Sequence, residues 1–143
     1  KVNNLKAPDY ILWLRPTTPL RDLSAFHKAH KMFKIKKQSV CIVSKTEPRI
    51  FFENKSFLKP VLNVFKKKSM VRRQECPNAY KIFFGEFFKF PINKNIKFLG
   101  NKFKFVVQDH RCDIDLDYEY QWKIYEKILE TNKKIYAKFL HTN

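Results

Sequence analysis

The stretch Tyr10-Ile11-Leu12-Trp13-Leu14, running straight into Arg15-Pro16-Thr17-Thr18-Pro19-Leu20-Arg21, restricts the possible folds of this chain more than any other. Five consecutive large apolar or aromatic side chains predict a strand buried on both faces, because a half-exposed strand would alternate with polar residues. The prolines cannot continue it, since each lacks a backbone N–H and fixes φ. The chain must therefore leave a sheet abruptly at Arg15. Open α/β sheets place ligands at the carboxyl ends of their strands. Two arginines flank this exit, so an anionic ligand is the first expectation. The alternative from these residues alone is a proline-rich turn with two solvated arginines.

A chain of 143 residues, 44% hydrophobic and 16% aromatic, suits one domain with a packed core rather than a disordered chain. Thirty Lys and Arg against 13 Asp and Glu give a formal charge of +17. That balance favours a polyanionic partner: nucleic acid, an anionic membrane or a nucleotide. The excess is mostly lysine scattered singly among Phe, Ile and Asn, which a coding bias explains as easily as a binding face. Only Lys66-Lys67-Lys68 forms a tight run, which reads as a solvated loop. Cys41, Cys76 and Cys112 lack the C-x-x-C spacing of zinc ribbons and redox pairs, and their odd number fits a reducing compartment. No apolar run approaches a membrane span and no signal peptide opens the chain, so the cytoplasm is expected. With only two glycines, the chain carries no glycine-rich loop for cradling phosphates.

Beyond Arg21, Asp22 can cap a helix on which Leu23, Phe26, Ala29, Met32 and Phe33 follow helical spacing, ending in the lysines of 34–37. His27 and His30 lie three apart on it and read as partly exposed helix histidines rather than metal ligands. Ser39 to Ser44, rich in Val and Ile, predicts a second buried strand. Strand, helix, strand is the parallel βαβ unit with a right-handed crossover, and the fold class is α/β. From Lys45 to Phe90 short strand-like pieces alternate with charged turns and prolines, which reads as an excursion from the main sheet. Its phenylalanines need cover, from a partner subunit or from the same chain. Within it, Arg72-Arg73-Gln74-Glu75-Cys76-Pro77 and the following Tyr80 could clamp a carboxylate, since guanidinium offers a bidentate fork.

Phe103 to Val107 returns to strand texture and leads to Asp113-Ile114-Asp115-Leu116-Asp117. A strand ending in D-x-D sets two carboxylates on one side of an extended backbone, where they can share Mg²⁺. The same residues also suit an acidic helix start with Asp117 as cap. The final helix is expected from about Tyr118 to Phe139, with Trp122, Tyr125, Leu129, Tyr136 and Phe139 on its packed stripe.

Taken in order, L-R-P-T-T-P-L-R, S-V-x-x-V, R-R-Q-E-C-P with its tyrosine, and D-I-D before the last helix resemble the acylneuraminate cytidylyltransferases. These enzymes make CMP-activated sialic and related nonulosonic acids. Arginine before Pro16, where sialic-acid enzymes usually carry glutamine, looks more like the branch handling legionaminic-type sugars. The resemblance implies a Rossmann-like, three-layer nucleotide-sugar transferase sheet, present in part. Residues 1–143 would be the C-terminal portion of the domain, with 45–90 as a sugar-pocket and dimerisation arm that builds a homodimer.

By motif position, Asp113 and Asp115 would act catalytically by holding Mg²⁺ on the phosphates of CTP. Arg73, Gln74 and Tyr80 would form the sugar pocket, Arg73 facing the sugar carboxylate. Arg49 matches a basic sugar-binding position, and Arg15 sits where the family contacts the sugar. Pro16, Thr17, Thr18 and Pro19 would form the structural loop, with Arg21 bracing it. The family's opening loop, which binds triphosphate and cytosine, has no counterpart here, so the 143-residue chain alone is expected to turn over little. Phe83-Phe84-Gly85 replaces an N-G pair usual in the family, and Leu116 a usual threonine. The implied reaction transfers CMP from CTP to a nine-carbon 2-keto acid and releases pyrophosphate. Two alternatives remain: a Kdo cytidylyltransferase acting on an eight-carbon acid, and a non-catalytic basic module that binds nucleic acid or a catalytic partner. On the cytidylyltransferase reading, neither nucleic acid nor a membrane is an expected partner.

Overall fold

The computed structural model describes residues 9–68, 70–89 and 99–140. It is a mixed α/β protein that divides into two compact units, one of residues 1–44 with 82–143 and one of residues 45–81. The first is built on a mixed four-stranded sheet ordered β1-β5-β2-β6. β1 (Tyr10–Trp13) runs antiparallel to β5 (Ala79–Lys89), with Trp13 opposite Glu86, and β2 (Val40–Thr46) runs parallel to β6 (Lys104–Val107).

One expectation is corrected here. β1 is not buried on both faces: it ends the described sheet, and Tyr10, Leu12, Trp13 and Leu14 are all exposed. An unbroken apolar run reports that side chains need cover, not which element gives it. β1 and β2 are not adjacent in the sheet, since β5 lies between them. The fully buried strands are the valine-rich β2, covered from Val40 to Ser44, and the central part of β5 from Phe84 to Phe88.

α1 (Leu23–Lys36) begins where expected. The Asp22 carboxylate accepts from the Ser24 N–H at 3.0 Å and the Ala25 N–H at 3.3 Å, satisfying two orphan donors of the first turn. It ends at Lys37, in the left-handed region at φ 49°, with Lys34 and Lys36 in the last turn facing the negative end of the helix dipole. Ala25, Ala29 and Phe33 bury against Val40, Ile42, Phe84 and Phe87. Small residues on the helix face and Gly85 in β5 permit the close approach. A Cβ at Gly85 would lie 2.8 Å from Phe26 Cε1 and 3.3 Å from Ile42 Cδ1.

A second apolar cluster joins Leu20, Cys112, Leu116, Tyr125 and Phe139, with Ile114, Leu129 and Tyr136 at its margin. Its helical members come from two helices, α2 (Glu119–Thr131) and α3 (Lys133–Leu140), where one had been expected. Asn132 breaks the helix. Its N–H and its Nδ2 both donate to Ile128 O at 3.0 Å, while its own carbonyl accepts from the N–H groups of Ile135 and Tyr136. Asparagine competes well for such terminal positions because its amide mimics backbone groups. Trp122, expected on the packed stripe, is 45% exposed.

The second unit carries a hairpin of β3 (Phe51–Asn54) and β4 (Phe57–Pro60), turning through Lys55 at φ 58°. Single 3₁₀ turns follow at Asn63–Lys66 and Arg73–Glu75. The excursion expected over 45–90 closes at Lys81. From Ile82 the chain belongs to the sheet, so Phe83 and Phe84 are strand residues there, and Phe90 lies outside the described residues.

Candidate active site

In the first unit the bend after β1 is a hydrogen-bonded loop. Thr18 is buried, and both its N–H and its hydroxyl donate to Arg15 O, at 3.4 and 3.1 Å. The Arg21 guanidinium donates to Thr18 Oγ1 at 2.6 Å, to Phe84 O at 3.0 Å and to Arg15 O. One guanidinium thus ties three backbone or hydroxyl oxygens across the loop and β5, a task that its fixed fork suits. Partial burial lowers the pKa of Arg21 against opposing charge from Glu86. Arg15 is half-buried, its guanidinium 4.3 Å over the ring of Phe83, and its Nε has no hydrogen-bond partner. Phe83 itself has φ 78°, a costly backbone for a bulky aromatic residue, and such outliers persist only where their surroundings enforce them. Pro16 is exposed, and Thr17 and Pro19 are half-buried.

The acidic pair stands beside this loop. The Leu116 N–H donates to Thr17 O at 2.8 Å, and Leu116, Cys112 and Leu20 share one apolar cluster. A second latch runs from the Asp109 N–H to the Asp22 carboxylate at 3.0 Å. Burial pushes the Asp22 carboxyl up, but hydrogen bonds from Ser24, Asp109 and Ala25 outweigh it and leave the pKa lowered. Asp113 and Asp115 do not lie on a strand, which corrects the period-two argument. β6 ends at Val107, and Asp109 starts a 3₁₀ turn (His110–Cys112) by accepting from the Arg111 N–H. Asp113 follows that turn at φ −79°, ψ 61°, half-buried, and Asp115 is exposed. Asp117 does not cap α2. Gln121 Oε1 does so instead, accepting from the N–H groups of Asp117 at 2.7 Å and Tyr118 at 2.9 Å.

Among the described residues no group of three or more His, Cys, Asp or Glu side chains could hold a metal ion. Two carboxylates with hard oxygen donors nevertheless fit magnesium carried on a phosphate ligand, because that ion keeps water and phosphate oxygens and takes one or two carboxylates.

The second unit has a cavity of about 270 Å³ lined by Lys45, Thr46, Pro48, Arg73, Gln74 and Asn78, with Cys76, Pro77 and Ala79. Arg73 and Gln74, expected together, are indeed together there. Tyr80 is half-buried one residue beyond the lining. Arg49 is engaged elsewhere: its Nε and an Nη donate to the two oxygens of Glu47 at 2.7 and 2.8 Å. Those hydrogen bonds hold the exposed Glu47 carboxyl down at about 2.

Glu86 was missed by sequence reasoning. Its side chain is 1% exposed, Oε1 has no partner, and burial drives its pKa up to about 7 against the lowering influence of Arg15 and Arg21. The available signal was a lone acid inside Phe83-Phe84-Gly85-Glu86-Phe87-Phe88. Cys41 and Cys112 are buried, with thiols pushed up to about 12 by burial, and so are poor nucleophiles. No helix of the described residues is long and apolar enough to cross a membrane. Comparison with family models and with curated proteins gave no match for this chain.

Proposed function

We propose that this chain belongs to a cytidylyltransferase that transfers CMP from CTP to a nine-carbon 2-keto sugar acid, on a Rossmann-like nucleotide-sugar transferase sheet. The observation that carries the reading is the 2.8 Å hydrogen bond from the Leu116 N–H to Thr17 O. It sets the D-I-D segment against the proline-threonine loop, although about a hundred residues of chain separate the two motifs. A common cleft for both is what the resemblance requires, and this contact supports it by bringing the two motifs side by side.

The reaction is attack of the anomeric hydroxyl on the α-phosphorus of CTP, with pyrophosphate leaving. Asp113 and Asp115 would hold magnesium, which when bound offsets charge on the phosphates. In the second unit, taken by itself, Arg73, Gln74 and Lys45 line a cationic, hydrogen-bonding cavity of the kind a carboxylate takes. In the first unit Arg15 offers a cation at the loop, and Arg21 keeps the loop in shape through its three hydrogen bonds. Positioning and electrostatics supply the catalysis, as in phosphoryl transfer generally. A second copy of the chain is the proposed partner, docking on the apolar hairpin of the second unit.

The test takes the protein at the full length its gene encodes and follows pyrophosphate release from CTP with N-acetylneuraminic, legionaminic and Kdo acids. Release that needs magnesium and a nine-carbon acid, and falls at least a hundredfold in Asp113→Ala, is the expected result. Release with Kdo alone moves the assignment to the eight-carbon branch. No release with any acid, together with salt-sensitive RNA binding that survives Asp113→Ala, replaces the enzyme with a basic binding module.

A further inference from the structure

Two helices of this chain carry charge very differently. Between Leu23 and Lys36, α1 has four lysines and no aspartate or glutamate, whereas α2 mixes three glutamates with two lysines. A coding bias toward lysine would act on both. On α2 the lysines are answered within the helix, Lys123 Nζ lying 2.9 Å from Glu119 and Lys127 Nζ 3.2 Å from Glu130. On α1, Lys28, Lys31 and Lys36 pair with no carboxylate among the described residues.

Those three lysines rim a groove of about 490 Å³ between α1 and β6. Its floor is apolar: Met32 and Ile35 from the helix, Phe105 and Val106 from the strand. Every lining residue belongs to the first unit. Ile35 is 65% exposed and Phe105 48%, and because both line one groove they form a patch rather than scattered single residues. The lysine stems extend that patch, since their methylenes can lie along apolar surface while the ammonium stays in water.

We propose that this groove binds a free, single-chain aliphatic carboxylate, with its hydrocarbon tail on the apolar floor and its carboxylate at the lysine rim. The inference shares no residue with the proposed cytidylyltransferase site and does not rest on that reading.

Charge and size select this occupant. The rim supplies three cations with nothing opposite them, and the floor supplies no hydrogen-bonding side chain, so a ligand that is apolar at one end and anionic at the other satisfies both. From Lys28 to Lys36 the groove follows about 12 Å of helix at 1.5 Å per residue, the reach of a medium-length chain. Its volume falls within the range of about 300–1,000 Å³ usual for small-molecule sites. A stable protein partner needs about 20–30 residues a side, far more than line this groove. A second copy would bring +17 against +17. Nucleic acid would use the lysines and leave the floor wet. A bilayer lipid would have to withdraw its tail from the membrane to reach a floor set between a helix and a strand, so the free acid is the source. Met32 suits the task, because an unbranched thioether adapts to the shape of a flexible chain.

The test titrates the protein with decanoate below its micelle concentration, following the Met32 methyl signal by NMR and the affinity by calorimetry. Decanoate should shift Met32 and bind one to one with a Kd below about 1 mM. Octanoate should bind about three- to tenfold more weakly, since two wholly buried methylenes are worth roughly fifteenfold and a groove covers them only in part. Decyltrimethylammonium, with the opposite head, should bind at least tenfold more weakly than decanoate. Lys28→Gln combined with Lys31→Gln and Lys36→Gln changes only exposed positions; it should weaken decanoate at least tenfold and leave the cationic amphiphile no weaker. Lys123→Gln with Lys127→Gln, on α2, should leave decanoate within twofold of wild type, and Ile35→Ser should weaken it severalfold. Equal affinity for the two head groups, an equal loss in the α2 variant, or an unmoved Met32 signal up to about 1 mM decanoate overturns the inference. Phosphatidylglycerol vesicles that bind through Ile35, while free decanoate leaves Met32 unmoved, overturn it in favour of a membrane surface.

Discussion

Glu86 shows how one buried group adds its own pH dependence to stability. Burial raises it from the ordinary 4.5 to about 7, so the folded chain keeps a proton that the unfolded chain has already released. The stability it contributes is complete below about pH 4.5, declines through the interval, and is gone once the pH exceeds 7. Compared with Glu86→Gln, which cannot titrate and keeps the volume, wild type should lose about 2–3 kcal/mol of unfolding free energy between pH 4.5 and 8. Urea unfolding of both chains at four pH values reads this directly, and a constant difference between them would show that Glu86 titrates normally. Asp22 is the opposite case, a carboxylate held low by the bonds it accepts. Asp22→Ala removes both the cap of α1 and the latch to Asp109, and should cost about 1–2 kcal/mol at pH 7. Asp22→Asn, which can still accept at the cap, should recover part of that loss in the same unfolding experiment.

Among the elements, α1 and β5 fit only because position 85 has no side chain. A methyl group there would meet the Phe26 ring at 2.8 Å, closer than packed carbons come, so Gly85→Ala should destabilise by about 1–3 kcal/mol through overpacking. Phe26→Leu in the same chain should relieve the clash. A double-mutant cycle read by thermal unfolding should then show a coupling of at least about 1 kcal/mol, and strict additivity would mean that the ring simply swings away. α1 itself was legible in the sequence, because capping and helical periodicity are local properties. So were β2 and β6, where apolar runs coincide with strands. The position of β1 at an end of the sheet and of β5 beside it was not legible, since pairing partners far apart in sequence leave no local mark. The break at Asn132 was also obscured: Tyr136 and Phe139 continue the helical spacing of Tyr125 and Leu129 across it, and only the asparagine marks it. At the site, the proline-threonine bend and Asp113 were visible as motifs. Their meeting through Leu116 and Thr17, and Glu86 beneath the loop, depend on tertiary packing that no window of sequence contains.

At the scale of the whole molecule, charge and apolar surface pull in opposite directions. Phe51, Phe52, Phe57 and Leu58 on the hairpin are all exposed, the last two by 74% and 72%, and a two-stranded hairpin is barely stable without something packed on it. A two-fold pairing of such hairpins would cover the patch with its own copy. Each chain, however, carries a formal +17, so association brings together two bodies of like charge. Added salt screens that repulsion, and at 0.15 M the screening length is about 8 Å. The proposed dimer should therefore tighten as salt rises from 50 to 500 mM, whereas binding to RNA or DNA, driven by counterion release, must weaken steeply over the same range. Sedimentation equilibrium in the two salts separates these behaviours. Phe57→Lys combined with Leu58→Lys should leave the circular dichroism unchanged and hold the chain monomeric in both. A wild-type chain that remains monomeric at 0.1 mM and 500 mM salt would remove the second copy as partner, and the hairpin phenylalanines would then need a different cover.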